Sequence, residues 1–283
     1  MTLSPVGWRP YAEVHGAGNT VSGSVLVWPR LDGVPGIPGR EIVVYLPPSL
    51  AAAKAGARRY PVLYFHDGQN VFDDRASFAG EWHADETLEQ LAGEGIEAIA
   101  VAVANDGNAR MDEYNPWRSA TNWKGEPGRI VGGKGDAYLD WLVGSVKPLI
   151  DRSFPTLAER EATGIVGSSM GGLISLYALF VQRAVFGLAG VMSPSVRWND
   201  FAVVRLIEEA PLPPTRIHLD MGGREWRGMV PDARRVRDAL LARGWQLGRD
   251  LHYVEEPYAR HNEGAWARRL PDALRFLLAD FRR

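Results

Sequence analysis

From Ala162 to Gln182 the chain carries no charged residue. That is long enough to cross a bilayer as a helix, which needs about 20 apolar residues. Its composition argues otherwise. Gly164, Gly167, Ser168, Ser169, Gly171, Gly172 and Ser175 crowd the run, and a glycine inside a helix costs about 1 kcal/mol. A buried strand ending at Val166, a tight turn, and a buried helix from Met170 to Gln182 suit these residues better. Neither element has a polar face, so both must be covered by neighbours, as in a layered α/β fold.

The rest of the chain agrees. Ser22–Trp28 and Glu41–Leu46 read as strands joined by the Gly/Pro-rich turn Asp32–Gly39, which predicts antiparallel strands at the N-terminus. A small helix is expected from Leu50 to Ala57, and Tyr60–His66 is a continuous apolar strand. Then strands and helices alternate. Helices are predicted at Trp82–Ala92, Asp136–Asp151, Asp200–Glu209, Pro231–Arg243 and Ala265–Phe281, with Pro148 expected to kink or shorten the second. Strands are predicted at Ile96–Val103, Glu161–Val166, Val185–Met192, Arg216–Asp220 and Leu251–Glu255. Repeated β-α units imply a mostly parallel central sheet with helices on both faces. Asn105–Gly135 shows no period and exceeds the usual connection length, so it is expected to be a functional loop. With no linker, repeat or low-complexity tract, residues 1–283 are expected to form a single domain.

The totals exclude some functions. A formal charge of −2 offers no electrostatic case for nucleic acid or an anionic membrane. The absence of cysteine removes disulfides, thiolate metal sites and a cysteine nucleophile together. Met1–Pro10 has neither a basic n-region nor an apolar h-region, so no signal peptide is expected there and a cytoplasmic location is.

The turn itself carries chemistry. Gly167-Ser168-Ser169-Met170-Gly171 fits G-x-S-x-G, and a strand enters it as a helix leaves. A nucleophilic serine on a strained strand-to-helix turn needs small neighbours, and the helix N-terminus sets positive dipole near a developing oxyanion. Ser169 is the candidate. Ser168 is not, because Val166 stands two residues before it.

Of the six histidines, His218 and His252 lie in strands, His83 in a helix, and His15 near the N-terminus. His66 precedes the serine. His261 alone follows Ser169 from a loop, between the last strand and the last helix, in the chain order Ser, acid, His. The acid comes from the loop after Arg216–Leu219. Glu225, past the glycine turn, is better placed than Asp220, which stays open as the alternative.

Together, Tyr64-Phe65-His66-Asp67-Gly68-Gln69-Asn70, Gly167–Gly172, Ser193-Pro194-Ser195, Gly222-Gly223-Arg224-Glu225, and His261 with Trp266 resemble the esterase family that holds enterochelin esterases, esterase D, feruloyl esterases and mycolyltransferases. The resemblance runs from about Glu41 to the C-terminus. It implies an α/β-hydrolase fold, a Ser169–His261–Glu225 triad, and oxyanion donors at the backbone N–H groups of Met170 and Gln69. It also implies hydrolysis of a small-molecule carboxylic ester, with acyl transfer or a silent binding fold as alternatives. The first forty residues match no separate binding module.

Weaker signals remain. Gly128–Lys134 fits most of a P-loop, but Gly135 replaces its Ser/Thr and no parallel strand feeds it. His83-Ala84-Asp85-Glu86 lacks a second histidine, so no metal is expected, and no cofactor either. Trp117, Trp123 and Trp198 lie in predicted loops near the active face, with Arg110, Arg118 and Asn122 beside the first two. Trp117, Arg118 and Trp198 are the expected substrate contacts, suiting an aryl, sugar or siderophore ester.

Overall fold

The structure, a computed structural model, describes residues 5–52, 58–123, 126–211 and 215–283, with the side chains of 121–127 outside that description. Strands are β1 (Arg9–Pro10), β2 (Ser24–Leu31), β3 (Arg40–Leu46), β4 (Val62–Phe65), β5 (Ile99–Val103), β6 (Ser119–Trp123), β7 (Glu126–Val131), β8 (Thr163–Ser168), β9 (Leu188–Met192), β10 (Arg216–Gly222) and β11 (Leu251–Glu256). Nine of them form one sheet in the order β1-β2-β3-β5-β4-β8-β9-β10-β11.

The first contacts, β1–β2, β2–β3 and β3–β5, are antiparallel, and every later pair is parallel. The fold is α/β with N-terminal antiparallel strands, as expected. β4, β5, β8 and β9 are buried at every residue. Helices cover both of their faces, which is why these strands show no polar alternation. One apolar cluster, with Tyr64, Ile165, Leu173 and Trp141, fills one side of the sheet; another, with Phe65, Val166, Leu88 and Leu274, fills the other.

This strand order creates the site. β5 lies on one side of β4 and β8 on the other, so the sheet's winding reverses there and a crevice opens at the strands' carboxyl ends. Phe65 pairs with Val166, and His66 N–H donates to Val166 O at 2.9 Å. The turns after β4 and β8, Gly68–Asn70 and Ser169, therefore emerge side by side.

Several boundaries differ from expectation. The helix predicted from Trp82 runs Ala84–Gly93, and the one predicted from Leu50 spans Pro48–Ala51, with 53–57 outside the described residues. Pro148 neither stops nor sharply shortens its helix. Lacking an N–H for the Gly144 carbonyl, it is accommodated by a π-helical stretch, Leu142–Val146, between helices Gly135–Trp141 and Lys147–Ser153. The segment 105–135 is not structureless. It holds a short helix, Arg110–Glu113, and the antiparallel β6–β7 hairpin. The P-loop-like run Gly128–Lys134 lies on β7 and the turn beyond it, so no parallel strand feeds it.

Candidate active site

β8 passes straight into the helix Met170–Val181, buried on every side from Met170 to Phe180. Ser169, at the junction, has φ 56 and ψ −117, a conformation that costs a non-glycine residue on the order of 1–3 kcal/mol. Hydrogen bonds hold it there: Ser169 N–H to Met192 O at 3.0 Å, Ser195 N–H to Ser169 O at 3.0 Å, and Leu173 N–H to Ser169 O at 3.1 Å. Gly167 is required beside it. A Cβ at that position would stand 2.6 Å from the Gly171 carbonyl carbon and 2.9 Å from the His66 ring. The Ser169 hydroxyl lies 3.2 Å from Ser195 Oγ, its one hydrogen-bond partner among the described residues.

His261 sits on the loop after β11, just before the helix Glu263–Leu277, whose first turn Asn262 caps by accepting from Ala265 N–H at 3.0 Å. Its Nδ1 lies 2.7 Å from Glu225 Oε2. The Glu225 side chain has no exposure and that of His261 only 10%, so the contact is shielded from solvent. Backbone bonds join the two loops: Gly223 N–H to Glu256 O at 2.8 Å and Arg224 N–H to Ala259 O at 2.9 Å. A Cβ at Gly222 would meet Ala259 O and Glu225 Oε1, each at 2.6 Å, which makes glycine necessary for this approach. Trp226 and Trp266 flank the imidazole with ring centroids 4.4 and 4.9 Å away, the second nearly edge-on at 84°.

The second oxygen of Glu225 is also held. Its Oε1 accepts from Gly222 N–H at 2.8 Å and from Ser193 Oγ at 2.5 Å. The Ser193 hydroxyl in turn accepts from Trp266 Nε1 and Arg269 Nη2, both at 3.0 Å. Asp220, the alternative acid, is occupied elsewhere. Arg269 donates to both of its oxygens at 3.0 and 3.1 Å, Ser193 N–H donates to Oδ1 at 3.1 Å, and His218 Nε2 lies 3.1 Å from Oδ2. Burial alone would raise the Asp220 carboxyl, but His218 and Arg269 hold it below the usual carboxylate range. His218 passes the network on to His252, Nδ1 to Nδ1 at 3.0 Å.

The turn after β4 is braced independently. Asp67 has φ 54, and its N–H donates to Tyr114 Oη at 3.0 Å. Arg110 grips the carboxylate with two donors at 2.6 and 2.7 Å, and Asn105 Nδ2 adds a third at 2.6 Å. Gln69 Oε1 accepts from Asn105 N–H at 3.2 Å, so the Gln69 side chain is tied down beside its backbone N–H. Met170 is the first residue of its helix, and its N–H has no carbonyl one turn back. His66 packs behind both turns, its Nδ1 2.9 Å from Tyr138 Oη; it is structural.

Trp117 and Arg118 precede β6, and Trp198 opens the helix Trp198–Glu209. Trp117 packs edge-on against Tyr177 at 5.3 Å, and Asn199 Nδ2, next to Trp198, donates to Arg118 O at 2.8 Å. Among the described residues, none of their hydrogen bonds or ring contacts reaches Ser169, His261 or Glu225. The Trp123 and Asn122 side chains lie outside the described residues. Sequence reasoning assigned no role to Ser195, Ser193, Trp226 or Arg269. Ser193-Pro194-Ser195 stood out as a motif; Trp226 and Arg269 carried no local signal.

A mostly parallel sheet, a strained serine between strand and helix, and a paired histidine and carboxylate beyond the last strands define an α/β-hydrolase. The chain belongs to the family described as "Putative esterase", which matches residues 39–277, and it is a carboxylic ester hydrolase. The uncharacterized protein YbbA of Bacillus subtilis (strain 168) is 26% identical over 231 residues, covering 79% of this chain and 87% of its own. A siderophore triacetylfusarinine C esterase of Aspergillus fumigatus is 37% identical over 155 residues, 53% of this chain and 49% of its own, so the match spans about half of that enzyme. In fold, the chain is similar to an IroE-like serine hydrolase from Shewanella oneidensis, with a TM-score of 0.71, 21% identity, and 90% and 80% of the two chains covered. It is also similar to the siderophore hydrolase EstA from Aspergillus nidulans, with a TM-score of 0.68, 21% identity, and 90% and 94% covered. Among the described residues, no helix is long and apolar enough to cross a membrane.

Proposed function

We propose that this chain is a serine esterase that works through an acyl-enzyme, with Ser169 as nucleophile, His261 as general base and Glu225 as the orienting acid. One observation carries the reading: the shielded 2.7 Å contact from His261 Nδ1 to Glu225 Oε2. It fixes the tautomer with a proton on Nδ1, leaving Nε2 as a base, and stabilises the imidazolium that forms later. Catalysis requires Ser169 Oγ to exchange Ser195 for His261 Nε2, and such contacts often tighten only when substrate binds.

Attack on the ester carbonyl transfers the hydroxyl proton to Nε2, and the oxyanion is received by the N–H groups of Met170 and Gln69. As the tetrahedral intermediate collapses, Nε2 returns that proton to the leaving alkoxide and the acyl-enzyme remains. Water then repeats the sequence with the same base, releasing the acid and restoring Ser169. The substrate is an aryl, sugar or siderophore ester that meets Trp117, Arg118 and Trp198. The fungal siderophore esterase among the relatives supports the last of these classes.

Ser169→Ala tests the reading. Its p-nitrophenyl acetate turnover is expected to fall by at least about a thousandfold, with the fold unchanged by circular dichroism. Turnover equal to that of the parent enzyme contradicts it.

A further inference from the structure

Glu81, His83 and Glu86 converge where the segment following the Gly68–Asn70 turn enters the helix Ala84–Gly93. His83 Nδ1 stands 3.5 Å from Glu81 Oε2 and 3.4 Å from Glu86 Oε1, and one ligating atom from each residue lies within 4.8 Å of the other two. The Glu81 side chain has no exposure, whereas that of His83 is 55% exposed, so the group is walled on one side and open on the other. Glu81 Oε2 accepts from Thr20 Oγ1 at 3.2 Å. Its other oxygen, Oε1, is buried with no hydrogen-bond partner among the described residues. A buried oxygen left so is desolvated without compensation.

The spacings favour an ion over direct pairing. A charge-assisted N–H···O⁻ bond closes to about 2.7–2.9 Å, and both His83 contacts stand well outside that range. Two ligands about 2.1 Å from one tetrahedral ion are about 3.4 Å apart, close to the separation of His83 Nδ1 from each glutamate oxygen. One imidazole nitrogen with two carboxylates suits zinc, and manganese less well.

We infer that Glu81, His83 and Glu86 form a three-ligand site for a zinc-class divalent cation, with the fourth position facing solvent. The expectation of no metal rested on the missing second histidine; Glu81, two residues upstream of His83, is the ligand that spacing from His83 onward overlooks.

The site would be structural. Among the described residues, none of the hydrogen bonds or ion pairs of its ligands reaches Ser169, Glu225 or His261. Thr20 Oγ1, which bonds Glu81, also stands 3.1 Å from Asp73 Oδ1, to which the Thr20 N–H donates at 3.1 Å, and Tyr11 Oη donates to Asp73 Oδ2 at 2.9 Å. A cation here would fasten the N-terminal segment to the stretch that follows Gln69.

The test is calorimetric titration of the EDTA-stripped full chain with zinc chloride and, separately, manganese chloride, with Tm followed in parallel. One equivalent of zinc is expected to bind with a micromolar Kd and to raise Tm, and manganese to bind more weakly. His83→Ala and Glu86→Gln, on the open side of the group, should each keep the native far-ultraviolet spectrum while weakening zinc at least tenfold and cancelling the Tm rise. The absence of saturable zinc binding would overturn the inference, as would one-equivalent binding that survives both substitutions.

Discussion

Ser193 Oγ lies 2.5 Å from Glu225 Oε1, the oxygen that His261 does not use. A serine at the end of β9 thus fixes the carboxylate that orients the imidazole, while Trp266 and Arg269 fix that serine from the last helix. Ser193→Ala should lower kcat by about tenfold with little change in KM, since one hydrogen bond to a charged group is worth roughly 1.5–3 kcal/mol and Gly222 N–H still holds the same oxygen. Steady-state kinetics on p-nitrophenyl acetate check this. A rise in KM alone would point instead to a substrate contact.

The two carboxylates after β10 should separate cleanly. Glu225→Gln is expected to cut kcat by about a hundredfold to ten-thousandfold at nearly unchanged stability, because it alters the His261 tautomer rather than the fold. Asp220→Asn does the reverse. It takes from the buried Arg269 guanidinium the carboxylate that holds two of its donors, leaving Glu256 Oε2 at 3.3 Å, which costs up to about 3–5 kcal/mol, read as a lower denaturation midpoint. If Asp220→Asn lost the activity while staying stable, the assignment of the acid would be wrong.

His66 sets a pH dependence of stability. Burial, opposed by Asp67 and assisted by Arg110, lowers its pKa to about 3, against about 6.5 in the unfolded chain. Between those values the unfolded state binds the extra proton, so stability is full above about pH 6.5 and falls with pH at up to ~1.4 kcal/mol per unit. His66→Gln should flatten that slope by close to one proton between pH 6.5 and 4, measured by urea denaturation at each pH. A slope equal to that of the parent chain would count against a neutral buried His66.

Trp226 is 67% exposed and lies tilted at 39° against His261. An exposed aromatic beside the proposed base is well placed to receive an aryl group of the substrate. Trp226→Ala is expected to raise KM for p-nitrophenyl esters several-fold, to change Tm by little, and to leave alkyl acetates less affected. An equal effect on both ester types would assign Trp226 to holding His261 instead.

Much of this was legible because buried parallel strands and an uncharged helix leave a plain composition signal. The elbow at Ser169 could be read from Gly167 and Gly171, which relieve contacts that the structure now identifies. His261 followed from chain order. What could not be read depends on pairing distant segments. Arg269 is six residues into a helix, and nothing near it shows that it reaches Asp220 and Ser193. The β6–β7 hairpin was missed because Thr121, Asn122, Glu126, Pro127 and Gly128 lack the β-branched alternation that marks a strand. The π-helical stretch at Leu142–Val146 was missed because Pro148 signals a break, while the remedy lies in backbone geometry one turn earlier.

The central claim is the covalent step at Ser169. Incubating the enzyme with a fluorophosphonate, digesting it and sequencing the modified peptide by mass spectrometry tests that claim most directly. One adduct per chain is expected on Ser169, lost in Ser169→Ala and slowed by at least tenfold in His261→Ala. An adduct on Ser168 or Ser195, or no labelling of folded active enzyme, would contradict it.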